Sequence, residues 1–336
     1  MKRKSENVKS NFDRSANNTK LTFEEYFQNQ YQERWPALKA ALASPEKQVL
    51  RVNRFAFPID PFAFLESVQE SNPRFTNLKI FPDILDCWVK PENLNMQVPR
   101  TENQLLSYYV MDPASLFPAK QLQVQPGDKV LDMCAAPGGK TLILAQDLLC
   151  PQGPRNEKAH VDVAASELIA NDLSQDRRER LKRVLQQYIP LPAREVIRMT
   201  GKDGGLFAKN YQNYFDKILV DAPCSGERHL MNSQGEVAEW SVKKSEHVAQ
   251  RQYALLTAAL ICTKPGGRIV YSTCSINKTE NDEVIERLQK KKGGFQILTV
   301  TELPEYIEAS SNGYWILPDR SGYGPIYFSI LQKLPD

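Results

Sequence analysis

The chain has 336 residues, 41% of them hydrophobic and 25% charged, which excludes global disorder and a fibrous fold. Forty-three Lys and Arg against forty Asp and Glu give a net charge of only +3, too balanced for a protein that coats nucleic acid by bulk charge, so a polyanion must be met by a local patch. Six cysteines without a CxxC pair exclude a disulfide scaffold, and no metal is expected.

Residues 1–20 are rich in Ser, Asn and Lys and read as a disordered basic tail. They carry no apolar core of a secretory signal, and Glu6 and Asp13 argue against a transit peptide, so the expected location is cytoplasmic, with the mitochondrial matrix as the alternative. The longest apolar runs, Leu142 to Ala145 and Ala254 to Cys262, fall short of the roughly 20 residues that cross a bilayer, so no membrane role is expected. Phe23, Tyr26, Phe27, Tyr31, Trp35, Leu38 and Leu42 recur at helical spacing, with Pro36 restarting the helix. Val49 to Phe55 and Asn77 to Ile80 are β-like runs between Pro-rich turns, so residues 21–107 read as a small helical and α/β region.

From Gly127 onward β-like and helical stretches alternate. The expected strands are Lys129 to Met133, Leu168 to Asn171, Glu195 to Met199, Lys217 to Asp221 and Arg268 to Ser272; the expected helices are Lys140 to Leu149, Gln175 to Tyr188 and His247 to Thr263. This order predicts an α/β fold with a parallel, doubly wound sheet and ligands at the C-terminal strand ends. Phe295 to Val300 and Tyr327 to Leu334 close the chain as an antiparallel hairpin inserted into the sheet.

Between the first strand and helix lies Asp132-Met-Cys-Ala-Ala-Pro-Gly-Gly-Lys-Thr141, a small-residue turn feeding a helix N-terminus, where Gly138 and Gly139 admit a ligand close to the backbone. A P-loop is rejected, because its spacing needs glycine where Cys134 stands. Asp172, after the second strand, is placed to bond ribose hydroxyls, and Asp203, after the third, to accept from an adenine amino group. Each acid alone reads equally as a loop or capping residue; together they outline an adenosine pocket. Arg177 lies in a mixed-charge helix and reads equally as a solvated face. Cys224, in Asp221-Ala-Pro-Cys, and Cys274, in Tyr271-Ser-Thr-Cys-Ser, both follow strand ends on the rim of that pocket, where a stabilised thiolate serves as a nucleophile; Cys150 and Cys262 read as inert.

From Tyr108 to the C-terminus the chain resembles the Nop/Sun RNA cytosine-5 methyltransferases, in Met111-Asp-Pro-Ala-Ser-Leu, Cys-Ala-Ala-Pro-Gly-Gly-Lys, Ala170-Asn-Asp-Leu-Ser, Asp-Ala-Pro-Cys and Lys264-Pro-Gly-Gly followed by Tyr-Ser-Thr-Cys-Ser. Tyr-Gln-Glu-Arg-Trp-Pro near residue 31 and the ending Gly324-Pro-Ile-Tyr-Phe resemble the short mitochondrial members and their bacterial relatives. The resemblance implies a Rossmann-like methyltransferase domain over residues 108–336, with a mostly parallel seven-stranded sheet, using S-adenosylmethionine to make 5-methylcytidine in RNA. Ribosomal RNA is favoured over transfer RNA, and a monomer is expected.

It further implies that Cys274 is the nucleophile, that Cys224 assists product release, and that Asp221 and Lys140 hold the cytosine. Gly138, Gly139, Lys140, Thr141, Asp172, Arg177, Asp203, Gly204 and Asp221 would contact the cofactor or lie beside it. The chain departs from many members in Ser-Gly-Glu-Arg-His after Cys224, where Arg228 and His229 are placed to tune the choice of RNA. Arg51, Arg54, Phe55, Phe57, Tyr108 and Tyr109 offer either a stacking platform for RNA or core packing, and the tail and Lys290 to Lys292 offer phosphate contacts. Two other readings stand beside this one: an RNA assembly factor that has lost turnover, and a small-molecule methyltransferase, which has no need of two strand-end cysteines.

Overall fold

Thr22 begins the first helix because its hydroxyl accepts from the Glu25 amide at 3.2 Å while the Glu25 carboxylate accepts from the Thr22 amide at 2.9 Å, a reciprocal cap. Helix α1 (Phe23–Tyr31) breaks at a short 3-10 turn, and Pro36 sits in the first turn of α2 (Trp35–Ala43), where its missing N–H costs nothing. The helical spacing expected here is thus realised as two helices. Their apolar face, Phe23, Phe27, Trp35, Leu38 and Leu42, is buried against Trp240 and one face of the main sheet. The computed structural model describes residues 21–57, 86–90, 97–150, 165–233 and 236–335; the expected tail 1–20 and the run 77–80 lie outside them.

Strand β1 (Val49–Val52) pairs antiparallel with both β2 (Cys87–Val89) and β3 (Tyr108–Met111) in a three-stranded sheet. Arg51 on β1 is 1% exposed and pairs with the equally buried Asp86 at 3.3 Å, and Arg54 pairs with Asp147. Both cations are therefore internal, and Phe55 and Tyr108 are buried with them, so of the two readings, RNA platform or core packing, these four positions take core packing.

After α3 (Leu116–Gln121) comes the main sheet. Its parallel strands are β4 (Lys129–Asp132), β5 (Glu167–Asn171), β6 (Ile197–Thr200), β7 (Phe215–Asp221) and β8 (Thr263–Thr273), and β9 (Phe295–Ile297), β10 (Ile307–Ala309), β11 (Tyr314–Ile316) and β12 (Ile326–Lys333) complete it. The order β10-β11-β12-β8-β7-β4-β5-β6 puts β4 inside, with β12 antiparallel to β8, as expected of the inserted strand. β9 pairs with the C-terminal half of β12 and β11 with its N-terminal half. Nine strands stand where seven were expected, because β10 and β11, three residues each, are too short to display alternation.

The crossover helices are α4 (Gly139–Leu149), α5 (Gln175–Tyr188) and, beyond the short α6 (Leu191–Arg194) and α7 (Glu227–Asn232), α8 (Val242–Cys262). Ser174 and Ser241 cap α5 and α8 through their hydroxyls. Two further helices are α9 (Asp282–Lys291) and α10 (Pro318–Ser321); neither these nor α3, α6 and α7 were foreseen. Parallel winding brings Asp132, Asn171, Thr200, Asp221 and Thr273 to one edge of the sheet.

Candidate active site

The register of β7 against β8 sets Asp221 opposite Ser272. Cys224 lies three residues beyond the one and Cys274 two beyond the other, so the two loops leave adjacent strand ends together. Their sulfurs are 2.8 Å apart, with Cys274 exposed and Cys224 largely covered. The hydrogen bond to Cys274, then burial, raises the Cys224 thiol well above its ordinary range.

Asp221 accepts from Lys140 Nζ at 2.7 Å through Oδ2 and from Ser272 Oγ at 2.7 Å through Oδ1. Burial alone would lower the Lys140 amine, but the charge and hydrogen bond of Asp221 outweigh it and leave the amine above its usual value. The pair borders a cleft of about 200 Å³, walled by Tyr109 and Met111 of β3, Asp132 at the end of β4, and Ala135 to Pro137 of the connecting loop. Of the residues expected at the cofactor, Gly139, Lys140 and Asp221 line this cleft directly.

Gly138 adopts φ +119°, a left-handed conformation, and a Cβ at Gly139 would lie 2.9 Å from the Tyr109 ring, so both glycines are required by the turn. Thr141 is fully buried, and its hydroxyl is within 2.7 Å of Asp132 Oδ2 and 3.2 Å of the Ala135 carbonyl. Asp172 is 3% exposed; its carboxylate accepts from the Ser174 amide at 3.0 Å and the Ala136 amide at 3.3 Å and pairs with Arg177 at 3.4 Å. Arg177 also donates to the Ala136 carbonyl at 2.5 Å, so it braces the glycine-turn loop and is more than a solvated-face residue. Asp203 is exposed and accepts from the Gly205 amide at 3.0 Å, a turn contact, while Gly204 is buried against Met133 and Leu255. Arg228, expected to meet RNA, is instead 6% exposed, donating to the carbonyls of Gly324 and Ser44, because the loop folds back under the C-terminal segment. His229 next to it is exposed.

Three acids were missed. Asp132 is 1% exposed, burial raises it to about 7, and its Oδ1 has no hydrogen-bond partner although the residue borders the cleft. Its position, a strand-ending acid before the small-residue turn, was the available signal. Glu227 and Glu280, both fully buried, lie beneath the cysteine loops; nothing in their local spacing distinguishes them from surface acids.

A parallel sheet carrying a glycine turn after its inner strand, with two cysteines and an Asp–Lys pair on the same edge, defines a methyltransferase of the Rossmann-like class. Residues 119–332 match the family model described as 16S rRNA methyltransferase RsmB/F. The 5-cytosine rRNA methyltransferase NSUN4 of Bos taurus is 32% identical over 93% of this chain and 88% of its own length. The mitochondrial tRNA (cytosine(34)-C(5))-methyltransferase of Danio rerio is 30% identical over 74% of this chain and 67% of its own. A methyltransferase homolog protein from Pyrococcus horikoshii, 23% identical, superposes over 92% of this chain and 95% of its own with a TM-score of 0.72, the same fold. The chain belongs to the RsmB/F family of RNA cytosine-5 methyltransferases.

Proposed function

We propose that the chain methylates C5 of cytosine in ribosomal RNA from S-adenosylmethionine, with Cys274 as nucleophile and Cys224 as the group that releases the product. The observation that carries this reading is the thiol pair, 2.8 Å apart with the exposed sulfur at Cys274, beside the Lys140–Asp221 pair. Cytosine C5 is too weak a nucleophile to take a methyl group unaided. Addition of the Cys274 thiolate to C6 makes an enamine, and Asp221, fixed by Lys140 and Ser272, holds the N3/N4 edge as charge develops there.

S-adenosylmethionine supplies the methyl group from a sulfonium. The free Asp132 oxygen and the glycine turn fit that cofactor: a buried carboxylate with an open valence suits a cationic group, and the start of α4 has no side-chain cap. Asp172, Arg177 and Asp203 border its adenosine end in this reading. After methylation Cys224, its own proton lost to solvent, accepts the C5 proton, the C5–H pair re-forms the C5–C6 double bond, and the C6–S bond breaks with its electron pair on Cys274. Formation of the thioether removes the contact that raises the Cys224 thiol, so the same chemistry that traps the base frees Cys224 to act as a base.

Ribosomal RNA is favoured because NSUN4 proteins match over most of the chain; transfer RNA is the alternative, supported by the cytosine-34 enzymes. The relatives named mitochondrial support the mitochondrial matrix over the cytoplasm. The test is Cys224→Ala incubated with RNA and S-adenosylmethionine. Addition without elimination leaves a covalent protein–RNA band on a denaturing gel, which disappears in the double variant with Cys274→Ala; no band, or a band that survives Cys274→Ala, contradicts the assignment.

A further inference from the structure

Each cysteine is followed by a serine, Ser225 and Ser275, and one carboxylate bonds both. Glu227 Oε1 lies 2.5 Å from Ser225 Oγ and 3.0 Å from Ser275 Oγ, while its Oε2 accepts from the Ile276 amide at 2.9 Å. Glu280 Oε2 accepts from the Ser225 amide at 3.0 Å and from Gln252 Nε2 at 3.1 Å, and Gln252 also donates to the Pro223 carbonyl at 2.9 Å. Glu280 Oε1 has one contact, Ser225 Oγ. Both carboxyls are fully buried, and among the described residues neither has a Lys, Arg or His ion-pair partner.

A hydroxyl carries one proton. Ser225 Oγ cannot donate to two carboxylate oxygens at once, and two ionised carboxylates sharing that oxygen without a cation would leave lone pairs facing each other. The donor count resolves the polarity. Glu227 receives three donors and is the ionised member; Glu280 Oε1 receives none and is the oxygen that carries the proton. The Ser275 hydroxyl accepts from the Asn277 amide at 3.0 Å, which leaves its proton for Glu227.

We propose that Glu227 and Glu280 are positioning residues that share one proton through Ser225 and so set the separation of Cys224 and Cys274 during RNA cytosine methylation. The chain of donors runs from the Glu280 carboxyl to Ser225 Oγ, from Ser225 to Glu227, and from Ser275 to Glu227. It fixes the residue after each cysteine to a single carboxylate. This extends the methylation reading and rests on it for its role, though not for its geometry.

The groups facing the pair are Cys224 and Cys274 above it, Tyr26 and Tyr31 from α1, Tyr271 from β8 and Gln252 from α8; Arg34, which faces Tyr31, is held by Glu308 and Asp319. Burial and then the charge of Glu227 raise Glu280 to about 7. Ionisation above that pH loosens the clamp.

The experiment compares full-length wild type with Glu280→Gln, Glu280→Ala and Glu227→Gln, reading RNA methylation against pH and the infrared band of protonated carboxyls. Glu280→Ala and Glu227→Gln lose about 10- to 100-fold in kcat through misplaced thiols. Glu280→Gln restores activity because its amide N–H donates to Ser225 as the carboxyl does. The ratio of its kcat to that of wild type rises from about pH 6 to about pH 9. A protonated-carboxyl band of wild type at low pH is missing from Glu280→Gln. A flat ratio, an unchanged band, or full activity in Glu227→Gln overturns the proposal. Wild type that does not methylate RNA overturns the methylation reading instead, and the infrared difference still reports the shared proton.

Discussion

Cys224 and Cys274 have the same chemistry and opposite surroundings. The first cause of the raised Cys224 thiol is its contact with Cys274, so Cys274→Ala lowers it, and Cys224 alkylates at a lower pH in that variant than in wild type. An unchanged alkylation profile would mean that burial alone sets the thiol. Gly139→Ala drives a Cβ to 2.9 Å from the Tyr109 ring and destabilises the protein by roughly 1–3 kcal/mol, read from urea unfolding. At this scale the sequence was most legible in placement: Cys224, Cys274, Asp221 and Lys140, read as neighbours on one rim, do lie together at adjacent strand ends. It was least legible for Glu227 and Glu280, which are 53 residues apart and acquire a shared hydroxyl only when two loops meet.

Elements carry the residues the sequence misassigned. Arg228 lies in α7, and its guanidinium joins the Gly324 and Ser44 carbonyls, tying that helix to the chain's C-terminal segment and to the end of α2. Arg228→Met is expected to cost roughly 2–3 kcal/mol in unfolding free energy. It leaves the KM for RNA unchanged; a raised KM with unchanged stability would restore the RNA role. Asn171 at the end of β5 uses its full bonding capacity, donating to the Met133 and Lys202 carbonyls and accepting from the Thr200 hydroxyl and Lys202 amide, and so fastens β4, β5 and β6 at the edge where the site is built. Periodicity showed α1, α2, α5 and the five parallel strands to within a few residues. It missed β2, β3, β10, β11, α3, α6, α7 and α10, which are three to six residues long and depend on pairing and packing with distant chain, and it also missed the ten-residue α9.

Across the whole molecule, burial raises Asp112 to about 6 and Asp132 and Glu280 to about 7. The unfolded chain releases these protons near its ordinary carboxyl range, so between about pH 4 and 7 the folded state binds more protons and stability falls as pH rises, then levels off. Asp86, which is lowered, acts in the opposite sense and only in acid. Urea unfolding across this range checks the slope, and Asp132→Asn flattens it, its advantage over wild type growing as pH rises to about 7.

The central claim is methyl transfer to C5 of cytosine through Cys274. The direct measurement incubates wild type and Cys274→Ala with methyl-labelled S-adenosylmethionine and separate ribosomal and transfer RNA lacking the modification, followed by nucleoside analysis. Label from wild type in 5-methylcytidine, higher in ribosomal RNA and absent with Cys274→Ala, is the predicted result; label in another nucleoside, or 5-methylcytidine formed by Cys274→Ala at the wild-type rate, would contradict it.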